Sequence, residues 1–343
     1  PIHEYEDLKP FIDQIMNGEE SVLWNTPVEW FAKSSGTTND KSKFIPITKE
    51  SIEDNHFQAS KDVLTIYYQK YPESDLLTGK GLVVGGSHQV HPIKEDIQFG
   101  DLSAVLLQNS PIWSGLIRVP ELSIALMDEW EDKIEKLAQS TIQEPVSSIA
   151  GVPTWTLVLL KRILEITGKA TIKEVWPDFE LYIHGGVSFT PYRAQFQKII
   201  GGDCNYLEIY NASEGFFAAQ DRLNQEGMLL FLDHGIFYEF MPIEEYGKEN
   251  PMTIGLDKVE LGKNYAIVIS TNGGLWRYLV GDTVQFVTLN PFRVKVSGRL
   301  KQYINAFGEE LIADNSDKAI SETCASFNVV IKEYTAAPIY MSD

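Results

Sequence analysis

The sequence has few cysteines and no long run of apolar residues. Its 343 residues include only Cys204 and Cys324, which lie far apart and have no metal-type spacing with any histidine. Two cysteines in a chain of this length argue against a disulfide scaffold, so we expect a cytoplasmic protein. The longest apolar stretch, residues 149–166, is interrupted by a proline and a Lys-Arg pair, so it does not match the roughly 18 apolar residues of a membrane span.

Positive charge is also scarce. Lys and Arg total 29 against 48 Asp and Glu, which gives a net charge of −19. This balance disfavours nucleic acid and anionic membranes as partners. A phosphate-bearing ligand therefore has to be held locally, by backbone N–H groups, a few cations and a metal ion.

Three common catalytic signatures are absent from the sequence. There is no Gly-x-x-x-x-Gly-Lys-Ser/Thr, which disfavours a kinase or ATPase of that class. There is no Gly-x-Ser-x-Gly nucleophile turn either. His88 and His91 lack the spacing and carboxylate neighbours of a zinc site, and we interpret them as polar residues near a turn.

The apolar periodicity changes along the chain. Up to about residue 210, amphipathic segments alternate with short apolar runs, which is typical of an α/β domain. The predicted helices are 5–16, 48–68, 155–167 and 192–200, and the predicted strands are 29–33, 81–85, 147–150, 179–183 and 206–209. From Met228 the period shifts to two, which predicts antiparallel strands at 228–232, 237–241, 265–271, 283–289 and 293–296, as a small sheet or barrel.

This pattern predicts one large domain and part of a second. We expect the large domain over 1–296, a hinge over 297–305, and the beginning of a truncated C-terminal domain over 306–343, including a strand at 329–335. Pro1 follows neither an initiator Met nor a signal peptide, so we take it as a cut end.

A loop rich in hydroxyl groups follows the strand predicted at 29–33. Its residues are Ser34, Ser35, Gly36, Thr37 and Thr38. Such a loop can wrap phosphate oxygens with N–H and O–H donors. The alternative is a polar surface turn, since turns use the same residue types.

A second polar segment follows the strand predicted at 206–209. Tyr210 offers an aromatic face to a purine, Ser213 can donate to a phosphate, and Glu214 can hold Mg²⁺ through a carboxylate oxygen. Ligands of open α/β sheets lie at this end of the strands. The alternative is that Ser213 and Glu214 cap the next helix.

Two further segments carry charge beside glycine. Asp282 follows Gly281, where its carboxylate can accept both hydroxyls of a ribose; the alternative is a Gly-Asp hairpin turn. Arg299 and Lys301 follow Gly298, where they can meet phosphate or form a solvated turn.

In this order, the four segments resemble the nucleotide motifs of the acyl-adenylate-forming superfamily, which includes acyl-CoA synthetases, luciferases and peptide-synthetase adenylation domains. Within it the sequence is most similar to the auxin-responsive acyl acid–amido synthetases, especially their bacterial relatives. The residues that carry this resemblance are 31–38, 43–46, 151–155, 210–215 and 278–282. It extends over nearly the whole chain and implies an α/β large domain with a small antiparallel barrel.

The resemblance implies a ligase that uses ATP and Mg²⁺, with a role for each motif. The implied roles are ATP phosphates for Ser34, Ser35, Gly36, Thr37 and Thr38; adenine for Gly186, Val187, Ser188 and Tyr210; α-phosphate for Ser213; catalysis and metal for Glu214; ribose for Asp282; and the hinge for Arg299 and Lys301, the latter catalytic. Family members carry a further catalytic lysine and an N-terminal segment that we expect to lie outside this chain.

The resemblance also implies the reaction. A carboxylic acid attacks the α-phosphate, pyrophosphate leaves, and an amino acid then takes the acyl group as an amide. Coenzyme A is the alternative acceptor, and a non-catalytic nucleotide-binding protein on the same fold is the second alternative. Candidate acyl-pocket residues are Ile93, Leu106, Ile112, Trp113 and Trp155, although core packing explains such residues equally well.

Overall fold

The computed structural model describes residues 1–34, 42–85, 90–94, 96–300, 304–306, 309–311, 313–327, 329 and 331. The helices in these ranges are α1 (Tyr5–Met16), α2 (Gln58–Lys70), α3 (Leu102–Gln108), α4 (Leu122–Ala125), α5 (Trp130–Thr141), α6 (Pro153–Thr167), α7 (Arg193–Ile200) and α8 (Ala313–Phe327). A π-helical segment, Ser51–Phe57, leads directly into α2. Short 3₁₀ helices lie at Ile112–Leu116, Ile172–Glu174, Ile243–Glu245 and Leu256–Lys258.

The strands of the first half are interspersed with these helices. They are β1 (Trp30–Ser34), β2 (Lys43–Ile47), β3 (Lys80–Val84), β4 (His91–Lys94), β5 (Ile97–Gly100), β6 (Arg118–Val119), β7 (Val146–Gly151), β8 (Leu181–His184) and β9 (Asn205–Ala212). The later strands follow each other with short connections. They are β10 (Gly215–Ala219), β11 (Met228–Leu230), β12 (Ile236–Pro242), β13 (Asn264–Thr271), β14 (Tyr278–Leu289), β15 (Phe292–Arg299), β16 (Ile304–Ala306) and β17 (Glu309–Leu311).

One mixed sheet organises the chain. Its order is β12-β13-β14-β15-β11-β10-β9-β8-β7-β3-β6, parallel from β9 to β6 and antiparallel from β12 to β9. The sequence predicts both kinds of strand correctly, and the mixed α/β fold class is confirmed. What periodicity does not predict is their continuity: the antiparallel strands join the parallel ones through β10 and β11.

Local sequence explains the position of two helices. Helix α1 places Leu8, Ile12 and Ile15 on one buried face, and each such side chain contributes about 1.5–3 kcal/mol on burial. Helix α6 begins at Pro153, where the missing N–H costs nothing, and it ends before Gly168, whose φ of +66° suits a left-handed cap.

The second sheet carries the hydroxyl-rich loop. Its order is β2-β1-β5-β4, and β1 and β2 are antiparallel, with Ser34 opposite Lys43. The predicted phosphate loop therefore connects two hydrogen-bonded strands. Residues 35–41 themselves lie outside the described ranges.

The predicted hinge begins inside the large sheet. Strand β15 continues to Arg299, where Gly298 pairs with Thr283 and Arg299 pairs with Asp282 of β14. Of the strand predicted at 329–335, the structure describes residues 329 and 331, neither of them in a strand. The division into domains stays a prediction.

Candidate functional site

The carboxyl ends of the parallel strands lie along one edge of the sheet. Strands β3, β7, β8 and β9 end at Val84, Gly151, His184 and Ala212, and the next residues form the loops of this edge. The loop after β8 lies against β9, because a Cβ on Gly185 would come within 2.6 Å of the Ile209 carbonyl oxygen. A glycine is therefore required at this position.

Ser213 and Glu214 form the two-residue connection between β9 and β10. Ala212 pairs with Gly215 across this hairpin. The alternative in which these two residues cap a following helix is therefore wrong, because the chain reverses into a strand that continues the sheet. Glu214 therefore lies at the carboxyl edge of the sheet.

Asp282 lies inside strand β14. The alternative in which Gly281 and Asp282 form a hairpin turn is therefore also wrong. Opposite β13, Leu279 pairs with Val268 and Thr283 pairs with Ala266, so the three residues between them bulge out of the ladder. Gly281 accommodates the bulge with a φ of +95°. Because a bulge redirects side chains, it turns Asp282 toward β9 and β15.

The Asp282 carboxylate is held on both oxygens. The Tyr210 hydroxyl donates to Oδ2 at 2.9 Å, and Nε of Arg299 lies 3.2 Å from Oδ1. Burial raises the pKa of Asp282, and Arg299, the Tyr210 hydrogen bond and Lys43 partly oppose this. Since a carboxylate offers about four lone-pair sites, each oxygen can accept one more hydrogen bond.

Glu214 lies in the same electrostatic environment. Burial raises its pKa, the negative charge of Asp282 adds to this, and the cations Lys43 and Arg299 oppose it. Burial and the Glu214 charge together raise the pKa of the Tyr278 hydroxyl. Two carboxylates thus share a partly desolvated region, which favours a bound cation.

Lys43 is the site residue that the motif analysis did not single out for a role. Its Nζ donates to the Tyr278 hydroxyl at 3.3 Å and lies 5.8 and 5.9 Å from the ring centroids of Tyr5 and Tyr278. Its strand also places it at the base of the hydroxyl-rich loop. The available signal was a cation directly after that loop in an otherwise acidic chain.

Tyr210 differs from its expected position. The residue is 6% exposed, and its ring packs against Phe217 with centroids 4.8 Å apart. Little ring face remains for a purine, and the contact that the structure shows is the hydrogen bond to Asp282. Gly186 and Val187 are exposed and Ser188 is half-buried in the loop after β8, on the same edge of the sheet.

Several expected residues are outside the part of the chain that the structure describes, and two others lie away from this edge. Ser35, Gly36, Thr37, Thr38 and Lys301 fall outside the described residues, as does His88. Ile112 is fully exposed and Trp113 is 60% exposed. Both precede edge strand β6, whose Arg118 pairs with Gly81 near the start of β3, so they lie away from the carboxyl edge. Trp155, by contrast, follows β7 at that edge and contacts Trp130.

This fold is shared with acyl-adenylate-forming enzymes. A structure described as AtGH3.15 acyl acid amido synthetase in complex with 2,4-DB superposes with a TM-score of 0.79 at 18% identity, covering 96% of this chain and 66% of that one. A 2-hydroxyisobutyryl-CoA ligase superposes with a TM-score of 0.60 at 12% identity, covering 94% of this chain and 62% of that one. At these identities the likeness concerns the fold alone.

Sequence comparison identifies the family within that class. The model of the GH3 family N-terminal domain matches residues 1–204, and that of the GH3 family central domain matches residues 229–299. The chain therefore belongs to the GH3 family, as the motifs predicted.

Curated relatives are similar to this chain over most of its length. Indole-3-acetic acid-amido synthetase GH3.3 of Arabidopsis thaliana is 23% identical, and jasmonoyl-L-amino acid synthetase JAR4 of Nicotiana attenuata is 25% identical. Each match covers 83% of this chain but 58% and 59% of the relative. The chain thus spans less than two thirds of the length of these relatives.

Proposed function

We propose that this protein activates a carboxylic acid with ATP, as an acyl-adenylate, and transfers the acyl group to an amino acid. The observation that carries the proposal is that Glu214, in the hairpin after β9, lies close to Asp282 and Lys43 at the carboxyl edge of a GH3 family sheet. An acidic pair with a cation beside it suits a ligand that brings both a metal ion and phosphates. The names of the relatives supply the acid and the amino acid as substrates.

Asp282 is the proposed ribose ligand. Its two oxygens are oriented by Tyr210 and Arg299, and each retains capacity for one hydroxyl donor. A ribose offers two adjacent hydroxyls, which match this spacing of acceptors. In this proposal Tyr210 positions Asp282, and Gly186, Val187 and Ser188 contact the adenine from the exposed loop after β8.

Glu214 is the proposed ligand of Mg²⁺. Among the described residues, no three His, Cys, Asp or Glu side chains form a metal-binding group. One carboxylate nevertheless fits this ion, since Mg²⁺ bound to nucleotides takes one or two protein carboxylates and completes its shell with phosphate oxygens and water. The raised pKa of Glu214 indicates a desolvated carboxylate that a cation would stabilise. When bound, the ion neutralises phosphate charge.

The remaining residues orient the phosphates. Ser34, Ser35, Gly36, Thr37 and Thr38 are proposed to donate to the phosphate oxygens, and Ser213 to the α-phosphate. Lys43, at the base of that loop, supplies a positive charge on the same side as Glu214. Arg299 holds Asp282 and, with Lys301, stands where the hinge is predicted, with Lys301 as the proposed catalytic cation.

In the proposed reaction a carboxylate oxygen of the acid attacks the α-phosphorus and pyrophosphate leaves. The protein contributes by holding the two reactants in line and by neutralising charge. The amine of the amino acid then attacks the acyl carbon, a C–N bond forms, AMP leaves, and the amine loses a proton.

Three measurements on the full-length protein test this function. Pyrophosphate exchange into ATP, measured across a panel of carboxylic acids, reports adenylate formation. Product mass after adding amino acids or coenzyme A identifies the acceptor, and we expect an amide. A thioester without any amide would make the protein a coenzyme A ligase, and an absence of ATP binding by calorimetry would make it a non-catalytic member of the fold.

We further propose that the enzyme works in the cytoplasm. Both cysteines are free thiols, which suits a reducing compartment. No helix among the described residues is long and apolar enough to cross a membrane. Localisation of a tagged full-length protein tests the proposal, and an extracytoplasmic location would refute it.

A further inference from the structure

Asn55 is a fully buried amide that binds the hairpin carrying Glu214. It lies in the π-helical segment before α2 and is 1% exposed. Its Oδ1 accepts from the Phe216 backbone N–H at 2.7 Å, and its Nδ2 donates to the Phe216 carbonyl at 3.2 Å. One side chain thus satisfies both backbone groups of a residue two positions after Glu214.

The amide also joins this hairpin to the antiparallel part of the sheet. Nδ2 donates to the His234 carbonyl at 3.0 Å, just before β12 begins. On β10, the pairing with β11 involves Ala218 and Ala219, and Asn55 bonds to the strand two residues earlier. The side chain therefore extends the pairing of β10 toward the Ser213-Glu214 turn.

Local packing leaves the turn little freedom. A Cβ on Gly215 would lie 2.6 Å from Cδ1 of Ile236 and 3.4 Å from Oδ1 of Asn55. The residue after Glu214 is therefore held between the start of β12 and the amide. Since a displacement of about 1 Å in a catalytic group can cost about 100-fold in rate, a hairpin fixed this closely is significant for catalysis.

We propose that Asn55 is a positioning residue: its amide sets the place of the Glu214 carboxylate and so determines how tightly the site takes a metal-bound nucleotide. This inference rests on the proposed function of Glu214. It assigns no contact between Asn55 and the substrate.

Asn55→Ser tests the proposal, because serine is too short to reach both backbone groups. Asn205→Ser is the matched control: Asn205 begins β9, far from the turn, and its Nδ2 donates to the Tyr67 hydroxyl at 2.9 Å. Hydrogen exchange of the full chain measures the protection of the Phe216 amide. Calorimetry with ATP, with and without Mg²⁺, measures the metal-dependent gain in affinity.

We expect Asn55→Ser to speed exchange at Phe216 and to reduce the metal-dependent gain at least tenfold, while Asn205→Ser changes neither. The double variant Asn55→Ser/Glu214→Gln should show the same metal-dependent gain in ATP affinity as Glu214→Gln alone, because both changes act through one carboxylate. Unchanged hydrogen exchange at the Phe216 amide would show that Asn55 does not hold the hairpin and would overturn the proposal. Faster exchange with a wild-type metal-dependent gain would overturn the link to Glu214.

Asn55→Asp keeps the inference testable if the serine variant does not fold. Burial beside two carbonyls raises the pKa of the new carboxyl, so it keeps a proton, accepts from Phe216 and donates to one carbonyl. Its metal-dependent gain should lie between those of wild type and Glu214→Gln, and a value equal to wild type overturns the proposal. A wild-type protein that shows no metal-dependent binding of ATP would instead refute the proposed function itself.

Discussion

Replacing Asp282 by Asn separates the charge of this side chain from its shape. The amide keeps one oxygen for Nε of Arg299 and places an NH₂ toward the Tyr210 hydroxyl, which can accept a hydrogen bond. The local structure should therefore persist. Because burial raises the pKa of Asp282, its ionised form costs folding free energy at neutral pH, and the variant should unfold at the same temperature as wild type or higher.

The effect on nucleotide binding follows from the two free acceptor positions of Asp282. A hydrogen bond to a charged group contributes about 1.5–3 kcal/mol, and one between neutral groups contributes about 0.5–1.5 kcal/mol. Two ribose hydroxyls therefore lose about 2–3 kcal/mol in total when the charge is removed. Since about 1.4 kcal/mol corresponds to a tenfold change in affinity, ATP should bind about 30- to 150-fold more weakly to the variant.

Comparing ATP with 2′-deoxy-ATP tests the assignment by calorimetry. Wild type should lose about 10- to 150-fold in affinity when the 2′-hydroxyl is removed, and Asp282→Asn should lose about 2- to 12-fold. Asp203→Asn, at an exposed position, serves as the control and should behave as wild type. If Asp282→Asn and wild type discriminate equally between the two nucleotides, Asp282 does not bind the ribose.

Three further substitutions test the site and its support. Glu214→Gln should abolish pyrophosphate exchange, and unchanged pyrophosphate exchange would refute the metal role. The variant should also unfold at a higher temperature than wild type. Burial raises the pKa of Glu214, so wild type loses stability as pH rises from the unfolded-state pKa toward the folded-state pKa of this carboxyl. Lys43→Met should weaken ATP binding and raise the pH at which Glu214 titrates, which NMR of the labelled carboxyl measures, and an unchanged titration would exclude the electrostatic contact. Asp221→Asn should destabilise the protein by about 3–5 kcal/mol in denaturant unfolding. Arg293 is 5% exposed and bonded to Asp221 at 2.8 Å, so the substitution leaves the arginine buried without its counter-charge. A loss of stability below about 1 kcal/mol would contradict this.

The sequence predicts the elements of this fold better than their assembly. Helix α1 follows from its apolar spacing and its Asn17-Gly18 end, and α6 follows from Pro153 and Gly168. These signals are local. The pairing of β10 with β11 depends on contacts between distant segments, and period-two runs carry no information about which strand lies next to which.

At the candidate site, too, the sequence predicts only the residues that carry a local signal. Glu214 and Asp282 could be selected because their motifs place a carboxylate beside a glycine or at the end of a strand. Asn55 could not, and the only sequence signal for Lys43 was its place after the hydroxyl-rich loop, because each acts through residues more than 150 positions away, at Phe216 and Tyr278. A single lysine or asparagine in a sequence has no periodicity, and only the fold reveals what it contacts.

If the proposed function holds, the charges of the site explain how so acidic a chain takes a polyanion. In the structure, Arg299 pairs with Asp282, and the charge of Lys43 opposes the rise that burial causes in the pKa of Glu214. In the proposed function, a nucleotide with its metal ion would bring both signs of charge, so that Glu214 would hold the ion and Lys43 would hold a phosphate. This arrangement would leave both charges paired, which avoids the costly step in binding ions at a desolvated site. The net charge of −19 would then act on the rate of encounter, whereas the local pairs would determine the affinity.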